Sequence, residues 1–187
     1  MATNIEQLKT LIKERALQTG KLVKLASGAE SSYYINCKNI SLHGPSLNVL
    51  SKAIADFFDD RGWPSWVAGV SVGGDPIVAG IIFEASLRGR ELDALLVRKA
   101  PKAHGGSQGK AVEGLFSEGL GSGFLVEDVV STGGSSLVAA RHMIAEGYKL
   151  EGMLCLVDRE MGGVQSLQTE LKIPIQSLFK VSQIIEN

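Results

Sequence analysis

One stretch of the chain places two acids and a glycine-rich turn directly after a short apolar run. From Phe124 to Ser136 it reads FLVEDVVSTGGSS, and apolar residues then recur at helical spacing at Leu137, Ala140 and Met143. This order predicts a buried strand, a turn and the start of a helix. In an open α/β sheet, ligands bind in the crevice beyond the carboxyl ends of the strands, so we expect a binding site here.

The residue types in this stretch indicate what that site binds. Gly133 and Gly134 let the backbone approach a phosphate closely, and the N–H groups that open the helix face the anion. Glu127 and Asp128 would repel a phosphate, and they suit sugar hydroxyls or a magnesium ion instead. An ordinary strand–turn–helix connection accounts for one acid and one serine, but not for two acids followed by four hydroxyls and two glycines. The stretch therefore predicts a site for a phosphorylated sugar.

Strand and helix patterns alternate along most of the chain. The 187 residues suit a single domain, and the alternation predicts an α/β fold with a central, mostly parallel sheet flanked by helices. The crossover rule makes the connections right-handed. Residues 36–43 do not fit the alternation, and we assign them to a small amino-terminal cap. Strands are predicted at residues 21–25, 31–36, 66–72, 92–97, 123–126 and 152–157, and helices at 5–16, 47–58, 76–87 and 137–146.

Composition and charge argue against several classes of protein. Lys and Arg number 19 against 20 Asp and Glu, and the net charge of −1 leaves no basic footprint for nucleic acid. No apolar run approaches the roughly 20 residues of a membrane span, and the amino terminus lacks the apolar core of a signal peptide. Cys37 and Cys155 are in no metal-ligand spacing, so we expect two reduced thiols in a cytoplasmic protein.

A second informative segment runs from residue 97 to residue 114 and reads VRKAPKAHGGSQGKAVEG. It is too polar and glycine-rich to pack as a helix or strand, so we expect a long mobile loop that begins at a strand end. Its basic residues suit a dense anion such as pyrophosphate, although solvated surface loops carry similar charge runs. These basic residues are Arg98, Lys99, Lys102 and His104.

Both segments resemble motifs of the type I phosphoribosyltransferases. The stretch from Phe124 to Ser136 resembles their signature for 5-phosphoribosyl 1-pyrophosphate (PRPP), with its apolar positions, two acids and hydroxyl- and glycine-rich loop. The basic segment is similar to the catalytic loop of orotate phosphoribosyltransferases, and it matches the pattern R-K-x-x-K-x-H-G at every specified position from Arg98 to Gly105. Residues 25–44, 69–79 and 157–159 resemble further segments of that family. The resemblance covers the chain from about Leu11 to about Arg159.

This resemblance implies a fold, a reaction and an assembly. The fold would be that of the type I phosphoribosyltransferases, with an amino-terminal hood over about residues 1–45 that forms part of the base site. The enzyme would transfer the phosphoribosyl group of PRPP to N1 of orotate in de novo pyrimidine biosynthesis. The catalytic loop, residues 97–114, would reach into the neighbouring subunit of a homodimer. Magnesium would arrive with PRPP, since no cluster of protein ligands is visible in the sequence.

The resemblance also implies roles for individual residues. Glu127 and Asp128 would hold the ribose 2′ and 3′ hydroxyls, residues 131–135 would wrap the 5′-phosphate, and Lys102 would carry the largest electrostatic role in catalysis. Orotate would contact Tyr33, Tyr34, Ser131 and Arg159. The catalytic residues would be Lys102, His104, Lys99 and Arg98, and the PRPP site would add to them Glu127, Asp128, Val129, Val130, Ser131, Thr132, Gly133, Gly134 and Ser135.

Two positions depart from the family pattern, and they leave two alternatives open. Many relatives have a lysine just before the Ser-Gly of the amino-terminal turn and another in the glycine-rich loop, where this chain has Ala26 and Gly73. Both departures remove positive charge from a site for two anionic ligands. One alternative is therefore a phosphoribosyltransferase that acts on another base. The other is a regulator that binds PRPP without transferring it, although the intact basic loop argues against this.

Overall fold

The computed structural model describes residues 2–24, 30–98, 100, 109–114 and 119–185. In chain order its strands are β1 (Leu17–Lys24), β2 (Glu30–Ile35), β3 (Trp66–Val70), β4 (Asp93–Val97), β5 (Val112–Glu113), β6 (Ser122–Val130), β7 (Lys149–Asp158) and β8 (Ile175–Lys180). Its α-helices are α1 (Asn4–Leu11), α2 (Lys38–Ser41), α3 (Gly44–Arg61), α4 (Asp75–Leu87), α5 (Gly134–Ala145), α6 (Gly163–Leu171) and α7 (Val181–Ile185).

The central sheet is mostly parallel, as predicted. Its strand order is β5-β4-β3-β6-β7-β8, and every neighbouring pair is parallel except β4 with β5. The chain passes outward from β3 to β4 on one side and from β6 to β7 on the other. The strand order therefore reverses between β3 and β6, which is where open α/β sheets place their ligand crevices.

Side chains alternate between the two faces of this sheet, and each face is covered by helices. On one face of β6, Leu125 packs in an apolar cluster with Met143 of α5. On the other face, Val126 packs in a second apolar cluster with Ile77 and Ile81 of α4. All five residues are fully or almost fully buried. Because both faces are covered, the central strands are continuous apolar runs, and this explains why their sequence lacks polar alternation.

The amino-terminal segment begins with a well-capped helix and continues into a separate two-stranded sheet. Thr3 and Glu6 form a reciprocal capping box at the start of α1. The helix predicted at residues 5–16 is present, but its last turn, Ile12–Ala16, widens to π geometry. Strand β1 then starts at Leu17, earlier than predicted, and pairs antiparallel with β2.

Residues 36–43, which did not fit the predicted alternation, contain the short helix α2. Helix α2 packs against α3 and against the π-helical turn. Its neighbour Cys37 and its own Ile40 are buried in the same apolar cluster as Leu50 and Ile54 of α3. This short helix thus connects the two-stranded sheet to the side of the central sheet that α3 covers.

Three features differ from the sequence prediction. The segment 97–114 was expected to contain no helix or strand, yet its end forms β5, because Ala111 and Val112 find buried positions beside β4. Strand β6 continues past the two acids to Val130 instead of ending before them. The elements after residue 159, α6, β8 and α7, were not predicted.

Among the helices of the described residues, none is long and apolar enough to cross a bilayer.

Candidate active site

A cleft of about 700 Å³ opens at the carboxyl ends of β3 and β6, where the strand order reverses. Its walls are residues 34–38 at the end of β2 and just after it, residues 70–73 at the end of β3 and just after it, residues 127–136 from the end of β6 to the start of α5, and Arg159 after β7. The acid pair, the glycine-rich turn and the predicted base-binding arginine therefore meet in one place. Among the described wall residues, the charged groups are Glu127, Asp128, Lys38 and Arg159.

The two acids of the cleft are held differently. Glu127 is buried, and the hydroxyl of Ser136 on α5 donates a 2.9 Å hydrogen bond to its Oε2. Asp128 is half-buried, and its Oδ1 accepts a 2.8 Å hydrogen bond from the backbone N–H of Val129. Both carboxylates line the cleft. They offer oxygen acceptors to ligand hydroxyls from a rigid strand end.

The carboxylate of Asp128 also fills the space beside the glycine-rich loop after β3. A Cβ atom added at Gly73 would lie 2.6 Å from the Asp128 carboxyl carbon. That distance is too short for a side chain, so the backbone of this loop packs directly against the acid. A side chain at position 73, one of the two departures from the family pattern, would therefore displace the Asp128 carboxylate.

The hydroxyl- and glycine-rich turn has the geometry of an anion site at a helix start. Gly133 has a φ of 81°, in the left-handed region, and immediately precedes α5. The backbone N–H groups at the start of α5 therefore face the cleft side of the turn. A second turn supports the first, since Gly163 donates its backbone N–H to the carbonyl of Ser131 at 3.1 Å. A Cβ at Gly163 would lie 2.3 Å from that carbonyl oxygen, so only glycine permits this contact.

Arg159 is the buried cation of the cleft, with 7% of its surface exposed. Its backbone N–H donates to the carbonyl of Val130 at 2.9 Å, which fixes the chain where β7 ends. Its side chain donates from Nη2 to the hydroxyl of Ser31 at 3.2 Å and from Nη1 to the hydroxyl of Ser131 at 3.5 Å. Its guanidinium carbon lies 4.8 Å from the centre of the Tyr33 ring, in a cation–π contact.

The two tyrosines predicted to contact a base face opposite sides of β2. Tyr33 packs under Arg159, whereas Tyr34 is exposed and lines the cleft. Successive side chains of a strand alternate between faces, so the two rings cannot occupy the same side. Of the pair, Tyr34 is placed to contact a ligand directly, and Tyr33 is placed to act through Arg159.

Half of the predicted catalytic loop, residues 99 and 101–108, lies outside the described residues, and this half includes Lys99, Lys102 and His104. Arg98 is described: it is exposed and forms an ion pair with Glu113 on β5. Its backbone N–H donates to the carbonyl of Ala111 at 2.9 Å. The base of the loop is therefore anchored on β5. Ala26, the other departure from the family pattern, also lies outside the described residues.

Sequence reasoning missed three residues that shape the site, namely Ser31, Ser136 and Cys37. Ser136 belongs to the predicted stretch, but its buried bond to Glu127 depends on the turn geometry. Ser31 shares a strand face with Tyr33, a spacing of two that could have indicated it. Cys37 lines the cleft close to Asp128, and no sequence pattern signals this position.

Both cysteines are expected to be unreactive in the folded protein. Burial raises the pKa of the Cys37 thiol, as does the nearby charge of Asp128, and burial likewise raises the pKa of the Cys155 thiol. Since the thiolate is the reacting form, a disulfide-exchange reagent at pH 8 should label neither residue until denaturant is added. After denaturation, the reagent should release two equivalents of its chromophore per chain, one for each cysteine. Rapid labelling of the native protein would contradict the burial described here.

In the part of the chain that the structure describes, no group of three or more His, Cys, Asp or Glu side chains is arranged to hold a metal ion. Asp128 nevertheless offers carboxylate oxygen to the cleft, and oxygen ligands are those that magnesium prefers. A magnesium ion that arrives bound to a ligand's phosphates would need only one or two such oxygens. The residues present therefore fit a metal that is carried by a substrate.

Several curated proteins with similar sequences are orotate phosphoribosyltransferases. No protein-family model matches the chain. The orotate phosphoribosyltransferase of Aquifex aeolicus is 35% identical over 182 residues, which are 96% of this chain and 97% of the relative. That of Streptomyces avermitilis is 34% identical over 173 residues, or 92% of each chain.

Solved structures agree with the sequence relatives. Orotate phosphoribosyltransferase of Mycobacterium tuberculosis H37Rv in complex with Fe(III) dicitrate has a TM-score of 0.81 and 27% identity, covering 97% of this chain and 99% of that one. The same enzyme in complex with PRPP has a TM-score of 0.77 and 25% identity, covering 97% and 98%. The fold is that of the type I phosphoribosyltransferases. With relatives of this similarity over nearly its whole length, the chain belongs to the orotate phosphoribosyltransferase family.

Proposed function

We propose that this protein transfers the 5-phosphoribosyl group of PRPP to N1 of orotate, giving orotidine 5′-monophosphate and pyrophosphate in de novo pyrimidine biosynthesis. The observation that carries this proposal is the meeting of three groups in one cleft. These groups are the acid pair, the glycine-rich turn at the start of α5, and the buried Arg159. A phosphorylated sugar needs the first two, and an anionic base needs the third.

The ribose phosphate of PRPP fits the end of β6. Its 5′-phosphate would lie in the turn of residues 131–135, where backbone N–H groups and hydroxyls face an anion. Its 2′ and 3′ hydroxyls would donate to Asp128 and Glu127, whose carboxylates accept from a fixed strand end. The M. tuberculosis relative has been crystallised in complex with PRPP, which supports PRPP as the ligand of this fold.

Orotate would bind on the opposite side of the cleft, against the hood. Its carboxylate suits Arg159, whose planar fork of donors matches a carboxylate better than a lysine does. Ser131 lies at the same place and offers a hydroxyl near the base. Tyr34 lines the cleft and supplies an aromatic surface for the ring. The base would thus lie next to the ribose carbon that it attacks.

The chemistry requires charge stabilisation and positioning. Pyrophosphate leaves C1 of the ribose, the ribosyl centre comes to resemble an oxocarbenium ion, and N1 of orotate captures it. Cations of the catalytic loop, Lys102 above all with Lys99, His104 and Arg98, would stabilise the charge that accumulates on pyrophosphate. Arg98 would exchange its ion pair with Glu113 for that anion. Magnesium, when bound with PRPP, neutralises part of the same charge.

The ultraviolet absorbance of orotate tests the proposal. Purified protein mixed with orotate, PRPP and magnesium should consume orotate, and leaving out either PRPP or magnesium should stop the loss. Uracil, nicotinate and adenine, offered in the same assay, should react far more slowly. Consumption of one of these bases with orotate unchanged would show that the protein is a phosphoribosyltransferase that acts on another base. Binding of PRPP without consumption of any base would indicate a regulator.

We further propose that the active form is a homodimer that packs through helix α4. This helix exposes Phe83 and Leu87, four residues apart on one face, with 67% and 66% of their surfaces accessible. Large apolar side chains grouped on one side of a molecule mark protein contacts. The catalytic loop of one subunit would then complete the site of the other.

Phe83→Glu should convert the dimer into monomers, because a carboxylate cannot be buried unpaired in an apolar contact. Analytical ultracentrifugation would measure the mass, and loss of the shared loop should lower activity in parallel. Ile144→Glu is the matched control, since Ile144 is half-exposed on the other side of the sheet on α5. A monomeric unaltered protein with full activity would contradict the assembly proposed here.

A cytoplasmic location is part of the same proposal. Cys37 and Cys155 are both free and buried, and neither forms a disulfide. Reduced thiols are the ordinary state of cysteines in that compartment. PRPP and orotate, the proposed substrates, would meet the enzyme there.

A further inference from the structure

We propose that Ser31 is a positioning residue for Arg159, and that through it the hood selects a base that carries a carboxylate. This inference rests on the proposed function and adds to it. Ser31 touches no reacting atom. It instead holds Arg159, which is the buried cation among the described residues of the cleft wall. Two contacts on one face of strand β2 carry it, the Ser31 hydroxyl and the Tyr33 ring.

The Ser31 hydroxyl is oriented before any ligand binds. Its O–H donates to the backbone carbonyl of Tyr33 at 2.7 Å. A serine hydroxyl has one hydrogen to give, so toward Arg159 it can only accept. It accepts from Nη2 at 3.2 Å, and Ser31 is only 9% exposed, so water does not compete freely for the contact.

The ring of Tyr33 restrains the same guanidinium from a second direction. Ser31 and Tyr33 are two residues apart on β2 and therefore share a face. The ring centre lies 4.8 Å from the guanidinium carbon, while the hydroxyl holds one end of the group. Together they fix both the plane of the guanidinium and its rotation. The remaining side-chain contact, with Ser131, is longer at 3.5 Å.

In this arrangement one donor of Arg159 is left without a hydrogen-bond partner. Its Nε is buried and has no hydrogen-bond partner among the described residues. Buried donors without partners are uncommon, since each costs free energy that a bound acceptor would recover. A carboxylate on the base is an acceptor of the right charge. Without Ser31 the guanidinium would keep its charge but lose its orientation, so carboxylate recognition should weaken while PRPP binding is unaffected.

Steady-state kinetics of Ser31→Ala, Ser31→Thr and Ser32→Ala test the proposal in the intact protein. Ser31→Ala should raise the KM for orotate about tenfold, because a hydrogen bond to a charged group is lost, with kcat and the KM for PRPP nearly unchanged. Ser31→Thr keeps the hydroxyl on a residue that strands accept, and it should restore most of the affinity. Ser32 is exposed on the opposite face of β2, so Ser32→Ala should behave as the unaltered protein.

Two further measurements separate positioning from mere structural support. The rate ratio of orotate to uracil should fall about tenfold in Ser31→Ala, because uracil has no carboxylate for Arg159 to bind. In an Arg159→Gln background, Ser31→Ala should cause no additional loss, since the two residues act as one unit. Equal losses for orotate, uracil and PRPP, or additive losses in the double variant, would overturn the inference. Failure of the unaltered protein to consume orotate would overturn the proposed function as well.

Discussion

Arg159→Gln is expected to lower kcat/KM for orotate by about 30-fold or more, because removing one partner of a buried charge pair costs about 2–5 kcal/mol. The guanidinium is almost fully buried and already held by Ser31, Ser131 and Tyr33. Its orientation is therefore fixed before binding, and little of its interaction energy is spent on ordering. Glutamine keeps a hydrogen-bond donor for the hydroxyls but removes the charge that a carboxylate needs.

Initial rates with orotate varied at saturating PRPP would measure this effect. The KM for PRPP should stay within about twofold, since the proposed ribose and phosphate contacts lie at the end of β6. Arg141→Gln is the matched control, because Arg141 is an exposed arginine whose ion pair with Glu170 lies far from the cleft wall. An unchanged KM for orotate in Arg159→Gln would show that the base does not bind on this side of the cleft.

Asp128→Asn should lower kcat/KM for PRPP by about 10- to 100-fold, because hydrogen bonds to a charged acceptor contribute about 1.5–3 kcal/mol. The substitution preserves the shape of the side chain, and the packing against Gly73 should therefore persist. One oxygen can still accept from the Val129 N–H, so the strand end should keep its conformation. The substitution removes the negative charge that, in the proposed function, attracts a ribose hydroxyl.

Initial rates with PRPP varied would show this loss, and binding of orotate alone would serve as the internal reference. Asp60→Asn, on an exposed position of α3, is expected to match the unaltered protein. If PRPP kinetics were unchanged in Asp128→Asn, the assignment of the ribose to this acid would be wrong. A drop in thermal stability without a kinetic effect would likewise assign Asp128 a purely structural role.

The strand, turn and helix at the centre of this candidate site could be predicted from the sequence, because they are contiguous in the chain. The apolar run, the acids and the turn between Phe124 and Ser136 are neighbours in the chain, and each has a local physical signature. Arg159 was assigned to the site through the family resemblance, and a parallel sheet explains its position, because the carboxyl ends of the strands lie at one edge. The burial of Glu127 and the left-handed conformation of Gly133 were not predicted.

The contacts between the hood and the sheet could not be predicted in the same way. Ser31 and Arg159 are separated by 128 residues, and the rule for parallel sheets says nothing about a strand outside the sheet. Strand β5 escaped prediction for a related reason. Two residues are too few for a pattern, and they form a strand because the edge of β4 is there to pair with them.

Gly73 shows how the structure explains what sequence comparison alone leaves open. As a departure from the family pattern, it suggested a weaker site for an anion. In the folded chain the position is filled by the Asp128 carboxylate, which lies where any side chain would begin. The departure is therefore coupled to the placement of Asp128, the acid that we propose binds the ribose. Lys38 and Arg159 supply positive charge to the described walls of the cleft.

Phosphorus NMR of a single reaction mixture tests the central claim most directly. PRPP, orotate, magnesium and the protein should yield pyrophosphate and a new phosphomonoester in equal amounts, with one of each formed per orotate consumed. Omission of orotate should leave PRPP intact, because the base is the group that captures the ribosyl centre. Release of pyrophosphate at the same rate without orotate, or PRPP unchanged in the full mixture, would contradict the assignment of orotate phosphoribosyl transfer to this cleft.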